Sequence, residues 1–524
     1  MIREIEKIID NHHKNHDVFK IPRNQAIFNV LRIYEDLCRL NAITTGILNP
    51  SGLENIVRAN MDALNVSLQW IYALCANDEE EITMDLHSED YMLTADMFAK
   101  YAMPYAQICS GYIGFSRKQF DVNISGKTVT FLSNKEREKV FLANMAESFN
   151  KKKNFTSIFS PTISPEFLKE FENSIHFENE RICYVLDSNT INMFKPIATQ
   201  QWDATSSLPQ KWAFDKFSLA EFREIWILID TLCFAHFYAC LKSKKTGAAM
   251  EDNVIVMDKD KIIDCLSSLT EVPREHIESI VSFITYNPKI KNTDIMYQPL
   301  VELNGVLVIT PNLFMTSNAE RNLISIMNKN KDKSYFTEVN QLEDIMINEI
   351  EEQYEFPNTI IKKQHIDIGA ELPDVDFALY DKTTNSAIFC EMKWLTEADS
   401  PQEVFAREED VEHGCQQIRN IMTYAICNKK EFIKKLFDVE DENVDIFYCV
   451  ITKNDIRSQS NDIPVITQSR FVELLKTLHI NSVFHKIRNK EYYREIPKKL
   501  IMSKIGIPYA GYTFEIPAAI LDEE

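Results

Sequence analysis

Glycine is scarce, 11 in 524 residues, or about 2% against a usual ~7%. Few positions can therefore take φ > 0, which excludes a fold built on many tight hairpins and favours helix. No G-x-G-x-x-G and no G-x-x-x-x-G-K-[ST] occurs, so dinucleotide-binding and P-loop readings have no phosphate cradle to rest on. None of the 11 cysteines forms a CxxC; this argues against a structural zinc framework and fits a reducing, cytoplasmic setting. Basic charge is lacking too. Lys and Arg number 57 against 78 Asp and Glu, net −21, which argues against a carpet-like binder of nucleic acid or anionic membrane. The opening MIREIEKIIDNHHK has no apolar run of signal-peptide type. The greasiest stretch, IWILIDTLCFAHFYACL (225–241), spans 17 residues and carries Asp230 and His236. A buried helix is expected there, not a membrane span.

What is present points to a multidomain α+β chain. Residues 1–245 read as a largely α-helical domain: 24–40, 53–75 and 222–241 carry apolar residues at three- and four-residue spacing. Its one β signal, FDVNISGKTVTFL (120–132), alternates around Ser125-Gly126. His12, His13 and His16 are expected on a solvated helix face. Residues 246–333 read as a connector: two short helices (258–270, 273–286), then a hairpin turning at Asn304-Gly305. Helix, helix, hairpin is winged-helix-like order. The second helix, PREHIESIVSFITY, has one Arg against two Glu, so packing is expected of it more than DNA reading.

Charge is uneven beyond this point. Residues 301–450 hold 14 basic and 29 acidic side chains, and 451–500 hold 10 and 5. The C-terminal segment 481–524 opens with FHKIRNKEYYREIPKKL (484–500), which includes Lys486, Arg488, Lys490 and Arg494 among aromatic residues. Such interleaving suits phosphate contact with base stacking; the alternative is a solvated amphipathic helix.

The richest segment is 334–395. A carboxylate-rich helix is expected over 335–353, followed by strands at 359–368, 374–381 and 387–394. Alternation in DVDFALYD places Asp374, Asp376, Ala378 and Tyr380 on one face and Val375, Phe377 and Leu379 on the other. In AIFCEMKW, Glu391 and Lys393 share a face with Phe389. Unpaired buried carboxylates are costly, so the cluster calls for a hard divalent cation. Asp376 and Glu391 would hold Mg²⁺, or Mn²⁺ in its place, with the Met392 carbonyl as third ligand and Lys393 beside the reacting phosphate.

PDVDFALYD followed by FCEMKW resembles the PD-(D/E)xK, restriction-endonuclease-like nuclease superfamily. Glu391-Met392-Lys393 is the only [DE]xK triplet in the chain. The resemblance covers 334–480 and implies an αβββαβ core, completed by a helix at 408–427 and a strand at 443–452, that cuts DNA with Mg²⁺. It implies Asp376, with Asp374 second, as the family aspartate, and Glu391 and Lys393 as the ExK pair. It also implies Glu343, with Glu338 in reserve, on the first helix. Gln417, with Tyr424 seven residues on and His413 one turn before, would lie on the helix after the third strand.

The function so implied is that of a Mg²⁺-dependent DNA endonuclease of bacterial defence or restriction type. A protein partner would dock on the helical N-terminal half; a homo-oligomer stays open. The alternatives are a nuclease fold that binds nucleic acid without cutting and a protein-interaction scaffold. Seven carboxylates in 397–414 suggest an acidic lid near the site.

Overall fold

A computed structural model describes residues 2–45, 50–76, 82–83, 88–133, 138–139, 142, 165–178, 181–243, 252–290, 293–353, 358–366, 375–396, 401–454, 456, 462–489 and 500–521. The chain is mixed α+β, with a mostly helical N-terminal half and several small sheets. It divides into two compact units: Met1–Cys109 with Lys152–Phe336 and Ile507–Thr513, and Ser110–Lys151 with Thr337–Gly506 and Phe514–Glu524.

In the first unit, the helices Arg23–Thr45, Pro50–Leu74 and Glu89–Met97 pack around an apolar core. The greasy stretch is the helix Leu219–Lys242 and is largely buried. A capping box fixes its start: Ser218 accepts from the Glu221 N–H and Glu221 reaches back to the Ser218 N–H. The helices Lys259–Leu269 and Arg274–Phe283 and the strands Leu300–Leu303 and Val306–Ile309 follow in the expected order, turning through Asn304 and Gly305 at positive φ. A strand absent from the expectation, Ile255–Asp258, completes their three-stranded sheet. Val254, Tyr286, Val301, Val308 and Leu313 share one core with Phe28, Leu31 and Tyr34. Buried Glu35 accepts from the Asn312 N–H at 2.9 Å and from Asn312 Nδ2 at 2.6 Å.

One expectation for this unit is corrected. His13 is not solvated: it stacks on Trp70 with ring centroids 3.7 Å apart, and burial lowers its pKa to about 4. The connector's second helix packs as expected: its single Arg274 pairs with Asp264 and Glu278, at 2.5 and 3.0 Å, and Ile277, Ile280 and Val281 are buried. Packing is its evident role.

The second unit centres on a five-stranded sheet. In chain order its elements are α1 (Leu342–Gln353), β1 (Thr359–Ile366), β2 (Val375–Asp381), β3 (Ser386–Lys393), α2 (Pro401–Phe437), β4 (Asp445–Thr452), β5 (Val465–Thr467), α3 (Gln468–Leu475) and α4 (Ile480–Arg488). The strand order is β5-β4-β3-β2-β1. β1, β2 and β3 form an antiparallel meander, whereas β3, β4 and β5 run parallel. β3 is central and buried along almost its whole length, so both its faces are apolar. On one face α2 covers Ala378, Tyr380, Ala387, Phe389 and Val450 with Val411, Cys415, Ile418 and Phe432. On the other, α1, α3 and α4 cover Phe377, Leu379, Ile388, Cys390 and Met392 with Met346, Ile350, Phe471 and Val483.

Differences from the expected elements have local causes. The 335–353 helix is two, Lys333–Val339 and Leu342–Gln353, separated by a turn in which the Gln341 N–H bonds the Glu338 carbonyl. The 408–427 helix runs from Pro401 to Phe437 across a non-helical Asn428 (φ −131°), with Pro at a position that tolerates its missing N–H. The suggested lid is therefore helical from residue 401, with Val404, Phe405 and Val411 buried. The hairpin expected at 120–132 forms, as Asp121–Ser125 and Thr128–Leu132, and an unexpected C-terminal hairpin extends it to a second sheet in the order Asp121–Ser125, Thr128–Leu132, Tyr512–Leu521, Leu500–Tyr509.

Candidate functional site

The β2–β3 ladder pairs Asp381 with Ser386 through to Phe377 with Cys390 and then stops. The next residues, Asp376 and Glu391, are not ladder partners. Val375 also leaves the expected alternation and joins the core on the α2 side, with Ala378 and Tyr380. With β2 turning away, the Met392 N–H has no strand partner there and donates instead to Asp376 Oδ2 at 2.8 Å. A residue's N–H and C=O point to the same edge of a strand, so the Met392 carbonyl faces this same gap. Lys393 faces the opposite edge, where its carbonyl accepts from the Lys453 N–H at 3.1 Å. The Met392 side chain lies in the core under the sheet; only its backbone can serve the site.

Glu391 is 1% exposed. Its Oε1 accepts from Lys393 Nζ at 2.6 Å, and its Oε2 is buried with no hydrogen-bond partner among the described residues. Burial, and then repulsion from Asp376, raise the Glu391 carboxyl to about 8 against the pull of Lys393. Burial likewise pushes Glu343 up; Lys393 pulls it back and Asp376 adds to the rise. Burial alone would lower Lys393, but Glu391, Glu343 and Asp376 outweigh it and hold the ammonium above its usual range. These four side chains form one electrostatic group with three carboxyls and one ammonium. An orphaned buried carboxylate oxygen beside like-charged neighbours is a donor set suited to a hard divalent cation.

Among the residues picked from sequence, Asp376, Glu391, Lys393, Glu343 and the Met392 backbone come together. Of the alternatives, Glu338 sits on the preceding short helix, Lys333–Val339; Asp374 lies outside the described residues. Gln417 is on α2 with its Oε1 buried and without a hydrogen-bond partner among the described residues. Tyr424 packs edge-on to Phe432 in the core, and His413 is exposed. Lys486 and Arg488 lie exposed on α4, whose Ile480, Val483 and Ile487 are buried. Lys490 and Arg494 lie outside the described residues. Phe484 is not free to stack on a base: its ring stacks on Phe447 at 4.5 Å.

One residue of the site has no counterpart among the sequence candidates. A Cβ on Gly414 would come 3.3 Å from Lys393 Cε and 3.4 Å from Glu391 Cγ. Gly in a helix interior costs about 1 kcal/mol relative to Ala, and here it lets α2 lie directly on the Glu391–Lys393 stems. Gln417, three residues on, shares that face. The available signal was a glycine in mid-helix in a chain with only 11. Gly414→Ala is expected to keep or raise the melting temperature, while displacing Lys393 by a few tenths of an ångström. If Lys393 acts on substrate, turnover should fall by about tenfold, since small misplacements of a reacting group are costly. Thermal melts and rate assays on the same preparation check both halves.

Comparison with protein-family models, with curated proteins and with solved structures finds no match to the chain.

Proposed function

We propose that the chain is a Mg²⁺-dependent nuclease that hydrolyses phosphodiester bonds of DNA, with a restriction-endonuclease-like core in its second unit. The observation that carries this reading is the convergence of Asp376, Glu391 and Lys393 where β2 parts from β3, with Glu343 in the same electrostatic group. The order α-β-β-β-α-β from Leu342 to Thr452 supports it, as does the mixed direction of the sheet.

Asp376, Glu391 and the Met392 carbonyl are the groups that would hold Mg²⁺ or Mn²⁺, the metal of this proposal. Such an ion, when bound, polarises a phosphoryl oxygen and makes water a stronger nucleophile. Asp376 accepts from the Met392 N–H, so backbone helps to set its carboxylate. Lys393 places an ammonium where charge builds on the phosphate, in a site dry enough for that charge to count. Gln417 offers a further polar group on the Gly414 face of α2. Supercoiled plasmid incubated with wild type and Lys393→Ala, with Mg²⁺ and with EDTA, tests the function. Nicking by wild type in Mg²⁺ alone is expected; no metal-dependent nicking by wild type overturns the reading.

Binding is assigned to a different surface. Exposed Lys486 and Arg488 on α4, with Lys490 and Arg494 beyond it in the chain, would touch the phosphate backbone. Neutralising all four should flatten the salt dependence of DNA affinity, the slope shrinking by about 0.9 for each phosphate that a side chain no longer neutralises. The rate of bound complexes should stay unchanged. Fluorescence anisotropy across a salt series reads this directly. An unchanged slope returns α4 to a purely structural role.

A further inference from the structure

We propose that the first unit carries a separate transition-metal site, formed by His176, Glu178 and Cys183 on the hairpin His176–Glu178/Arg181–Cys183, and that it takes Zn²⁺. One ligand atom from each of the three side chains lies within 4.8 Å of those of the other two. The register explains the cluster. His176 is directly opposite Cys183 and Glu178 is opposite Arg181 on antiparallel strands. Residues two apart on a strand share a face, and directly opposed side chains start with Cβ atoms about 5 Å apart. The three donors are thus brought to one face by backbone pairing alone.

The hairpin is anchored on both strands. His176 Nδ1 donates to the Ser174 carbonyl at 2.8 Å, which fixes the ring and leaves Nε2 as the nitrogen for a metal. An outer hydrogen bond of this kind is how metal-binding histidines are usually oriented. The Val185 N–H donates to Ser174 Oγ at 3.3 Å and the Ile182 N–H to Asp252 Oδ2 at 3.0 Å. His176 and Glu178 are exposed and Cys183 half-buried, so an ion can reach them from solvent. The donor chemistry selects the metal. Thiolate with imidazole and carboxylate suits Zn²⁺, or Co²⁺ in its place, over Mg²⁺ or Ca²⁺, which prefer oxygen alone. Three protein ligands leave one tetrahedral position for solvent. The His-x-Glu-x₄-Cys spacing lies outside the CxxC frameworks whose absence argues against zinc, so no familiar motif announces it.

Co²⁺ titration of the reduced full-length chain tests the site, because only a thiolate ligand gives a sulfur-to-cobalt absorption band. One equivalent is expected to produce that band and Zn²⁺ to remove it. Asp376→Ala/Glu391→Ala should keep the band, so this result stands apart from the nuclease reading. Cys183→Ser should abolish it, and His176→Ala and Glu178→Ala should each weaken Co²⁺ affinity by about tenfold or more. No band in wild type, or a band unchanged in Cys183→Ser or His176→Ala, overturns the proposal. A readout on unaltered protein guards against misfolded variants: Zn²⁺, but not Mg²⁺, should protect Cys183 from iodoacetamide. Equal alkylation with and without Zn²⁺ contradicts the site.

Discussion

Lys393→Ala is expected to bind DNA about as well as wild type and to cleave it about 10²–10³-fold more slowly, the usual cost of removing one electrostatic interaction with a transition state. Lys393 is the cation paired with Glu391, whose side chain is 1% exposed, so its loss should cost some stability, and a thermal melt checks that Lys393→Ala is folded under the assay conditions. Metal affinity should hold or rise, because the ammonium that competes for Glu391 Oε1 at 2.6 Å is gone. Lys393→Arg should rescue poorly for a steric reason. A planar guanidinium cannot take the position of the compact ammonium that donates to Glu391 Oε1 at 2.6 Å. Single-turnover rates at saturating protein, set beside anisotropy titrations, separate chemistry from binding. A wild-type rate in Lys393→Ala would leave Lys393 as a mere partner of Glu391.

The second large effect is on stability. The Glu391 carboxyl stands at about 8 in the fold against 4.5 as an ordinary value, so between these pH values the folded chain binds a proton that the unfolded chain releases. Stability of metal-free protein should therefore fall as pH rises from about 4.5 to about 8, by an amount on the order of a few kcal/mol, and level off above. Glu391→Gln removes that titrating group and should make the slope shallower, leaving the part that comes from Glu35, which burial likewise raises to about 8. Mg²⁺ should oppose the loss in wild type, where a divalent ion offsets the carboxylate charge, and should do little for the glutamine variant. Thermal melts from pH 5 to 9, with and without Mg²⁺, give the comparison. Identical slopes for the two proteins would mean that Glu391 is not the group responsible.

Local chemistry made much of this legible from sequence. Asn304-Gly305 and Ser125-Gly126 are turn pairs whose conformational demands are written in the residues. Alternation in 377–380 and 387–393 identified strands whose two faces pack as expected. Long-range effects were not legible. Val375 changes face because β2 leaves its ladder, a tertiary event. His13 is buried by Trp70, 57 positions away, and Phe484 by Phe447. The C-terminal hairpin turns at Ala510-Gly511, with Ala510 at φ 49°, where an alanine gives no turn signal. Gly414 could be noticed as an oddity, but only packing against Lys393 gives it a role.

The most direct test of the metal centre is anomalous diffraction from crystals soaked in Mn²⁺. A peak in contact with the carboxylates of both Asp376 and Glu391 is expected, absent in crystals of Asp376→Ala/Glu391→Ala. Mn²⁺ density elsewhere with none between these two carboxylates would contradict the assignment.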